Sequence, residues 1–441
     1  MSHSTSSQNL ESSKCAYMEL ALLLALSGLD GLIDSCFGPS LHDLQCLYCV
    51  SVQTISTLFP LYAGFKTAGS VLYMPLYAVF NVYTLMMTCV LVSSCLVIVI
   101  PLCPSFWLAA AASSGLGLTG GVVNSARVAK IGEFGQEKAT PFHLMGIAMC
   151  TGNILGPLII SPFLTNTTCQ SEAINITSDF VMTPIELRSS ESNIAYAYVS
   201  FASFGALLVV FLAVLRYHLR KSSNKDSHQK NKYTFGKLNN VFVSLQIFII
   251  FIGGAANFVY GTQLLLFGTR SNLKISKTIM SLMTSSFYAV TLLGRVVGVL
   301  VSLAVSQACL VTSCLVGSLV GSVFLVFTAE KSVEFLWAGS HFLGLFYAPL
   351  FAALLAWCGE NVTLNHTLYV IVILFDLAGT SLIALIIGQM MCDIEPHMLH
   401  YSMVTIVVIQ IMVFLCLFVI AKWIRKKTEG EHTSLTAAGS G

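Results

Sequence analysis

The feature that most constrains this chain is a succession of apolar blocks separated by short polar or turn-forming breaks. Each block runs to about twenty residues, the length at which a helix spans the hydrocarbon core of a bilayer. Reading the blocks against the breaks gives twelve candidate helices, over 17–40, 51–77, 80–101, 105–128, 141–164, 194–216, 239–267, 277–303, 307–328, 333–357, 368–391 and 399–421. Composition agrees: 56% of the 441 residues are apolar and only 10% are charged, where a soluble domain carries about a quarter charged. The expectation is an all-α membrane protein whose solvent is the lipid bilayer. The breaks between the second and third and between the eighth and ninth blocks hold almost no charge, which leaves counts of eleven or ten open beside twelve.

The placement of charge orients the blocks. The segment 217–238 carries Arg220, Lys221, Lys225, Lys230, Lys232 and Lys237, and 422–441 carries Lys422, Arg425, Lys426 and Lys427. The alternate breaks are poor in Lys and Arg: 41–50 has neither and 392–398 has only Asp393 and Glu395, although 268–276 breaks the pattern with Arg270 and Lys274. Basic residues collect on the cytoplasmic side of membrane proteins, so both termini are expected in the cytoplasm, with the plasma membrane the expected location. The N-terminal MSHSTSSQNLESSK has no apolar core or small-residue cleavage site, so the first block reads as a retained helix. The basic segment also divides the blocks six and six. The expected organisation is an N-terminal tail over 1–16, a six-helix half over 17–216, a basic linker over 217–238, a second six-helix half over 239–421 and a C-terminal tail over 422–441. Two six-helix halves joined by a cytoplasmic linker is the layout of transporters that rock one half against the other. The net charge of +2 carries no sign of a nucleic-acid partner.

Two further signals test the topology. Asn166 and Asn175 head Asn-x-Thr sequences in the long 165–193 segment, which this topology puts outside, so both are expected glycosylation sites. Asn361 and Asn365 head similar triplets in a short break expected inside, and read as chance matches. Of fourteen cysteines most sit within apolar blocks and behave as small hydrophobes. Cys46 and Cys169 are expected at the outer face, where oxidation is possible, and are the preferred disulfide pair. Cys46-x-x-Cys49 has no nearby His or Cys to complete a zinc site, and no metal is expected.

Ionisable residues inside a membrane are expensive and point to function. Asp30 and Asp34 stand four apart in SGLDGLIDS, on one face of a helix. The functional reading is a site for a coupling Na⁺ or H⁺, or contact with a polyhydroxylated solute. The bland reading is a wet vestibule, or pairing with a basic side chain. Arg295, in LLGRVVG, reads as a structural cation or as a solute contact, with Asp376 in ILFDLAG as an available countercharge. Arg127 and Lys130 close the fourth block, where anchoring near lipid headgroups is the favoured reading. Asn257, Tyr260 and Gln263 in GGAANFVYGTQLLL form a candidate cavity-facing stripe, joined by Asn153 and Tyr347, because hydroxyl-rich solutes need paired donors and acceptors and an aromatic face. His143 and His341 read more readily as interhelical hydrogen-bonders. Glycine-rich runs such as SSGLGLTGG and TGNILGPLIISP allow close helix approach.

Several segments resemble one branch of the major facilitator superfamily, the sodium-dependent glucose transporter 1-like proteins and their major-facilitator-domain-containing relatives. They are FGPSLHDLQC at 37–46, like that branch's glycine-proline ending of the first helix with a loop cysteine; GNILGPLIISPFL at 152–164, with Cys169 following; LLGR at 292–295; and GSHFLGLF at 339–346. The resemblance implies twelve helices and carriage of a hexose such as glucose by alternating access, with Na⁺ coupling. The chain departs from the pattern in three places. LYMPLYAVFNVY at 72–83 and SLAVSQ at 302–307 lack the basic loop residues of the superfamily, and GGAAN at 253–257 lacks the acid that the branch carries in its seventh helix. Asp30 and Asp34 are not a feature of the branch.

No phosphate loop, metal spacing or nucleophile elbow is present, so the chain is not expected to be an enzyme. No cofactor is expected beyond a coupling Na⁺ or H⁺, and no protein partner is inferable. The leading expectation is a carrier of a small polar solute. Two alternatives stand beside it: a carrier of an organic anion with Arg295 as countercharge, and a transport-inactive membrane scaffold or regulator.

Overall fold

The computed structural model describes residues 2–51, 54–55, 57–134, 140–163, 193–222, 237–362 and 366–438, and within some helical stretches, 2–15 and 424–438 among them, only the course of the backbone. Among the described residues every regular element is helical. In chain order they are α1 (Ser2–Tyr48), α2 (Leu58–Val79), α3 (Val82–Leu102), α4 (Phe106–Phe134), α5 (Thr140–Ile160), α6 (Ile194–Ser222), α7 (Lys237–Arg270), α8 (Lys277–Ala304), α9 (Gln307–Thr328), α10 (Val333–Tyr347), α11 (Leu350–Asn361), α12 (His366–Asp393) and α13 (Met398–Ala438). A short 3₁₀ turn, Ser161–Phe163, follows α5. Among the described residues, ten helical stretches are long and apolar enough to cross a membrane, α10 and α11 together making one of them. The other two segments read from the sequence are α2 and α7, the latter with a shorter apolar run at Asn240–Gly253. Helices satisfy their own backbone groups, which is what a chain in lipid needs. Large apolar side chains such as Leu158, Leu300, Leu303, Phe327 and Leu415 are exposed, as a lipid-facing surface requires. The protein is a multi-pass integral membrane protein.

The two uncharged breaks turn out to be helix starts with side-chain caps. Asn81 accepts from the backbone N–H of Tyr83 at 3.0 Å and opens α3, and Ser306 accepts from Cys309 at 3.4 Å and opens α9. A cap satisfies an orphan donor of the first turn without any charge. Proline shapes two of the spans differently from the sequence reading. Pro39 lies within α1, which runs on to Tyr48 rather than stopping at the glycine-proline pair, while Ser40 Oγ donates back to Cys36 O at 2.7 Å. In the tenth span Pro349 has no N–H to give, and the helix divides into α10 and α11 around it.

The chain forms two compact units. The first takes in Met1–Val128 and Ala148–Lys225; the second takes in Ala129–Ile147 and Asp226–Gly441. Within the first unit, small residues bring backbones together. A Cβ on Gly121 of α4 would fall on the carbonyl oxygen of Lys66 in α2, and one on Gly152 of α5 would fall on that of Gly28 in α1. Only glycine allows backbones this close. These two contacts set the spacing of the helices that carry the first unit's charges.

Candidate functional site

Three helices of the first unit each present a pair of polar residues at helical spacing. Asp30 and Asp34 lie four apart on α1, Tyr62 and Lys66 four apart on α2, and Asn124 and Arg127 three apart on α4. Such spacings put both members of a pair on one face, and the three faces converge. Lys66 Nζ donates to Asp30 Oδ1 at 2.9 Å, to Asp34 Oδ1 at 2.7 Å and to Asp34 Oδ2 at 2.9 Å. Tyr62 donates to Asp34 Oδ1 at 2.6 Å. Arg127 Nη2 lies 3.0 Å from Asp30 Oδ2 and 2.5 Å from Asn124 Oδ1, and Nη1 donates to the Leu26 carbonyl at 3.0 Å. The four ionisable side chains are buried, from 1% exposed at Arg127 to 13% at Asp34.

Two consequences follow from counting groups. All four carboxylate oxygens accept at least one hydrogen bond, and the three N–H bonds of the ammonium match its three carboxylate contacts. Two carboxylates and two cations also sum to no net charge, the condition under which charges are tolerated away from water. A Lys66 ammonium fills the space between the carboxylates that a bound cation would otherwise take. The sequence reading passed over Lys66, although a lone lysine deep in the second apolar block was the available signal. It also read Arg127 as a headgroup anchor; the structure corrects this, since Arg127 is among the most deeply buried side chains of the protein. Lys130 does pair with Glu133, at 2.8 Å.

The remaining sequence candidates are spread over both units. Asn153, on α5 in the first unit, is half-buried with its backbone N beside Gly31, next to Asp30 in the chain. The others are in the second unit. Tyr260 is fully buried: its hydroxyl is 2.7 Å from Ser340 Oγ, and its ring packs on Phe287 and His400. Gln263 Nε2 reaches the Ala384 carbonyl at 3.4 Å. The side chain of Asn257 lies outside the described residues. Tyr347 is buried with its hydroxyl 2.9 Å from both the Gly253 carbonyl and Gln410 Oε1. His341 Nε2 is 2.9 Å from Ser286 Oγ, the interhelical role expected of it.

Arg295 on α8 and Asp376 on α12 are both half-buried. Arg295 Nε and Asp376 Oδ1 are each shut away from solvent without a hydrogen-bond partner, and no ion pair within 4.0 Å joins the two among the described residues. They are still near enough for the guanidinium to act electrostatically on the carboxyl. His143, fully buried with neither ring nitrogen bonded, stands on the other side of Arg295, whose guanidinium a side chain on Gly146 would strike. Asn166, Asn175 and Cys169 lie outside the described residues. Cys46 is disulfide-bonded, whereas Cys49 and Cys392 form no disulfide.

The helix order and this burial pattern can be set beside known proteins. The crystal structure of the E. coli fucose:proton symporter FucP matches 92% of this chain and 98% of its own, with a TM-score of 0.67 at 11% identity. The proton:xylose symporter XylE bound to 6-bromo-6-deoxy-D-glucose matches 92% and 96%, with a TM-score of 0.68 and again 11% identity. The chain has the major facilitator fold. Both of these neighbours are transporters. In sequence, a sodium-dependent glucose transporter 1 of Danio rerio is 21% identical over 401 residues, which are 88% of this chain and 67% of the relative. No protein-family model matches.

Proposed function

We propose that this protein is a major facilitator carrier that moves a small polar solute of the hexose class across a membrane by alternating access. The observation that carries the reading is the buried, charge-balanced quartet of Asp30, Lys66, Asp34 and Arg127. Four ionisable groups inside a membrane protein are costly to keep, and they are kept where solute or ions pass. The fold of two proton-coupled sugar symporters and the distant likeness to a sodium-dependent glucose transporter support the same solute class.

Of the two roles expected of Asp30 and Asp34, solute contact fits the geometry better than ion binding. Adding Na⁺ to a neutral quartet would leave a net positive charge where the dielectric is low, and the ion would have to displace the Lys66 ammonium. Solute hydroxyls, which donate and accept, can exchange hydrogen bonds with Tyr62, Asn124 and the carboxylates without changing the charge. The basic segments 217–238 and 422–441 support cytoplasmic termini in a plasma membrane carrier.

The test is uptake into proteoliposomes carrying the full chain, with D-glucose, D-fucose and D-xylose each offered with and without gradients of Na⁺ and pH. Saturable entry of at least one sugar is expected. Entry of none of the three, together with saturable entry of a carboxylate solute that Arg295→Ala abolishes, would replace the sugar reading with the organic-anion one. The unpartnered Arg295 Nε is what keeps that second reading in view.

A further inference from the structure

Where α9 meets α13, the flank of the second unit carries a hollow that the carrier reading does not use. Thr312, Leu315 and Val316 of α9 form one wall, and Phe414, Leu415 and Phe418 of α13 form the other. Within each wall the residues stand three or four apart, so each wall is one stripe of its helix. Val316 and Leu415 are more than half exposed, so the hollow opens sideways toward lipid. It holds about 120 Å³, and apolar hollows of this order stay dry and take up hydrocarbon. The hydroxyl in these walls, that of Thr312, already donates to the Ala308 carbonyl at 2.8 Å. A polar solute gains nothing from such walls, whereas an alkyl chain needs no polar partner.

The mouth of the hollow is charged. Thr312 lies five residues into α9, and Phe418 lies five before the apolar span of α13 closes at Trp423. The hollow therefore sits near one boundary of the membrane. One turn beyond Phe418, Lys422 holds its Nζ over the Phe418 ring, 4.8 Å from the centroid. A ring face attracts an ammonium without neutralising it, and Lys422 makes no ion pair among the described residues. Trp423 is 71% exposed, as suits an aromatic residue at a membrane–water boundary. The sequence then continues with Arg425, Lys426 and Lys427. Along α13 the order is thus apolar wall, cation, basic run. A phospholipid presents the matching order of acyl chain, then phosphate. A sterol would leave the cations without a counterion, and a zwitterionic lipid brings a cation of its own. Basic clusters just beyond a membrane helix attract anionic lipids, which the cytoplasmic leaflet holds; the topology proposed above puts this end of α13 there.

We infer that the groove between α9 and α13 is a binding site for one anionic phospholipid, with an acyl chain in the hollow and the phosphate beside Lys422. The lipid supplies the counterion that the protein leaves open at this end of α13, and it bridges α9 and α13 from the membrane side. None of Asp30, Asp34, Lys66 or Arg127 takes part, so the site stands whether or not the carried solute is a sugar.

The test is native mass spectrometry of the purified full chain in detergent, with phosphatidylserine or phosphatidylcholine of the same acyl chains added. One phosphatidylserine is expected to stay bound under conditions that strip phosphatidylcholine. Lys422→Gln should weaken that retention about fivefold, the effect of one basic side chain at an anionic membrane surface. Leu415→Trp, which fills the hollow, should abolish it, and Leu300→Trp, at another exposed apolar position, should leave it unchanged. Val316→Trp repeats the test from the opposite wall if Leu415→Trp fails to fold. The unfolding midpoint is the second readout: phosphatidylserine should raise it more than phosphatidylcholine does, and the filled hollow should remove that difference. Equal retention of the two lipids overturns the inference, as does selective retention that survives in both Lys422→Gln and the tryptophan variant. Displacement by glycerophosphoserine, which has the head group without chains, would take the hollow out of the site, and displacement by cholesterol would take the charge out. Either result overturns it.

Discussion

Asp34 and Asp376 are both half-buried acids on membrane helices, yet their surroundings differ in kind. Asp34 is held by three hydrogen bonds from Lys66 and Tyr62, on a helix fixed by glycine contacts. Asp376 has a cation nearby but no bond to it. A buried charge that is fully paired is sensitive to its partners, because removing one leaves the other uncompensated. A buried charge that is left incomplete can be changed at little structural expense, because there is no contact to lose. The contrast teaches that burial alone does not decide how a charge contributes to stability; the hydrogen-bond count around it does.

The largest effect should follow from breaking the first arrangement. Lys66→Met leaves Asp30 with Arg127 and Asp34 with only the Tyr62 hydroxyl, so an uncompensated negative charge remains inside the unit. Loss of one partner of a buried pair costs about 3–5 kcal/mol, and thermal unfolding in detergent should show a drop of that size or a failure to accumulate in membranes. The double variant Lys66→Met with Asp34→Asn restores neutrality and should recover much of the loss. If it is instead as unstable as the sum of the two single changes, the residues are not coupled and the quartet is not a unit.

A smaller loss is expected from Tyr62→Phe, which removes one donor to Asp34 and leaves the ion pairs in place. Hydrogen bonds to charged groups contribute about 1.5–3 kcal/mol, and Lys66 still covers the same oxygen, so the lower end is expected. The measurement is again the unfolding midpoint, with Asp34→Asn as the background: there the tyrosine change should matter less. An equal effect in both backgrounds would detach Tyr62 from the carboxylate.

How much of this was legible follows physical lines. Ten of the twelve spans were, because a bilayer imposes a length and an apolar composition that a sequence must display. Asp30 and Asp34 were, because a four-residue interval fixes a shared face. The start of α9 at an uncharged Ser306 was harder, since a cap is one side chain and carries no charge. Lys66 was passed over and Arg127 misread for a different reason. Their depth depends on Gly121 meeting the backbone of Lys66, a contact between helices that no single helix advertises. The stripe of Asn257, Tyr260 and Gln263 shows a limit of counting by threes. At about 100° per residue, three steps fall short of a full turn by about 60° and six by about 120°, so the set wraps around the helix. Tyr260 accordingly lies buried on Ser340 while Gln263 reaches toward α12.

The smallest effect, and the one that tests the comparison from its other side, belongs to Asp376→Asn. The amide has the shape of the protonated acid and no charge. It gives up no ion-pair contact, because none is made, and it removes a buried charge whose oxygen has no donor. Arg295 loses only a distant attraction. The net change in stability should therefore lie within about 1 kcal/mol and can be in the stabilising direction, as for the replacement of buried ionic groups by neutral ones. The expected signature is a variant whose unfolding midpoint in detergent matches that of wild type. A loss as large as that of Lys66→Met would mean that Asp376 is ionised and firmly paired in the resting protein. The two units would then handle their acids alike.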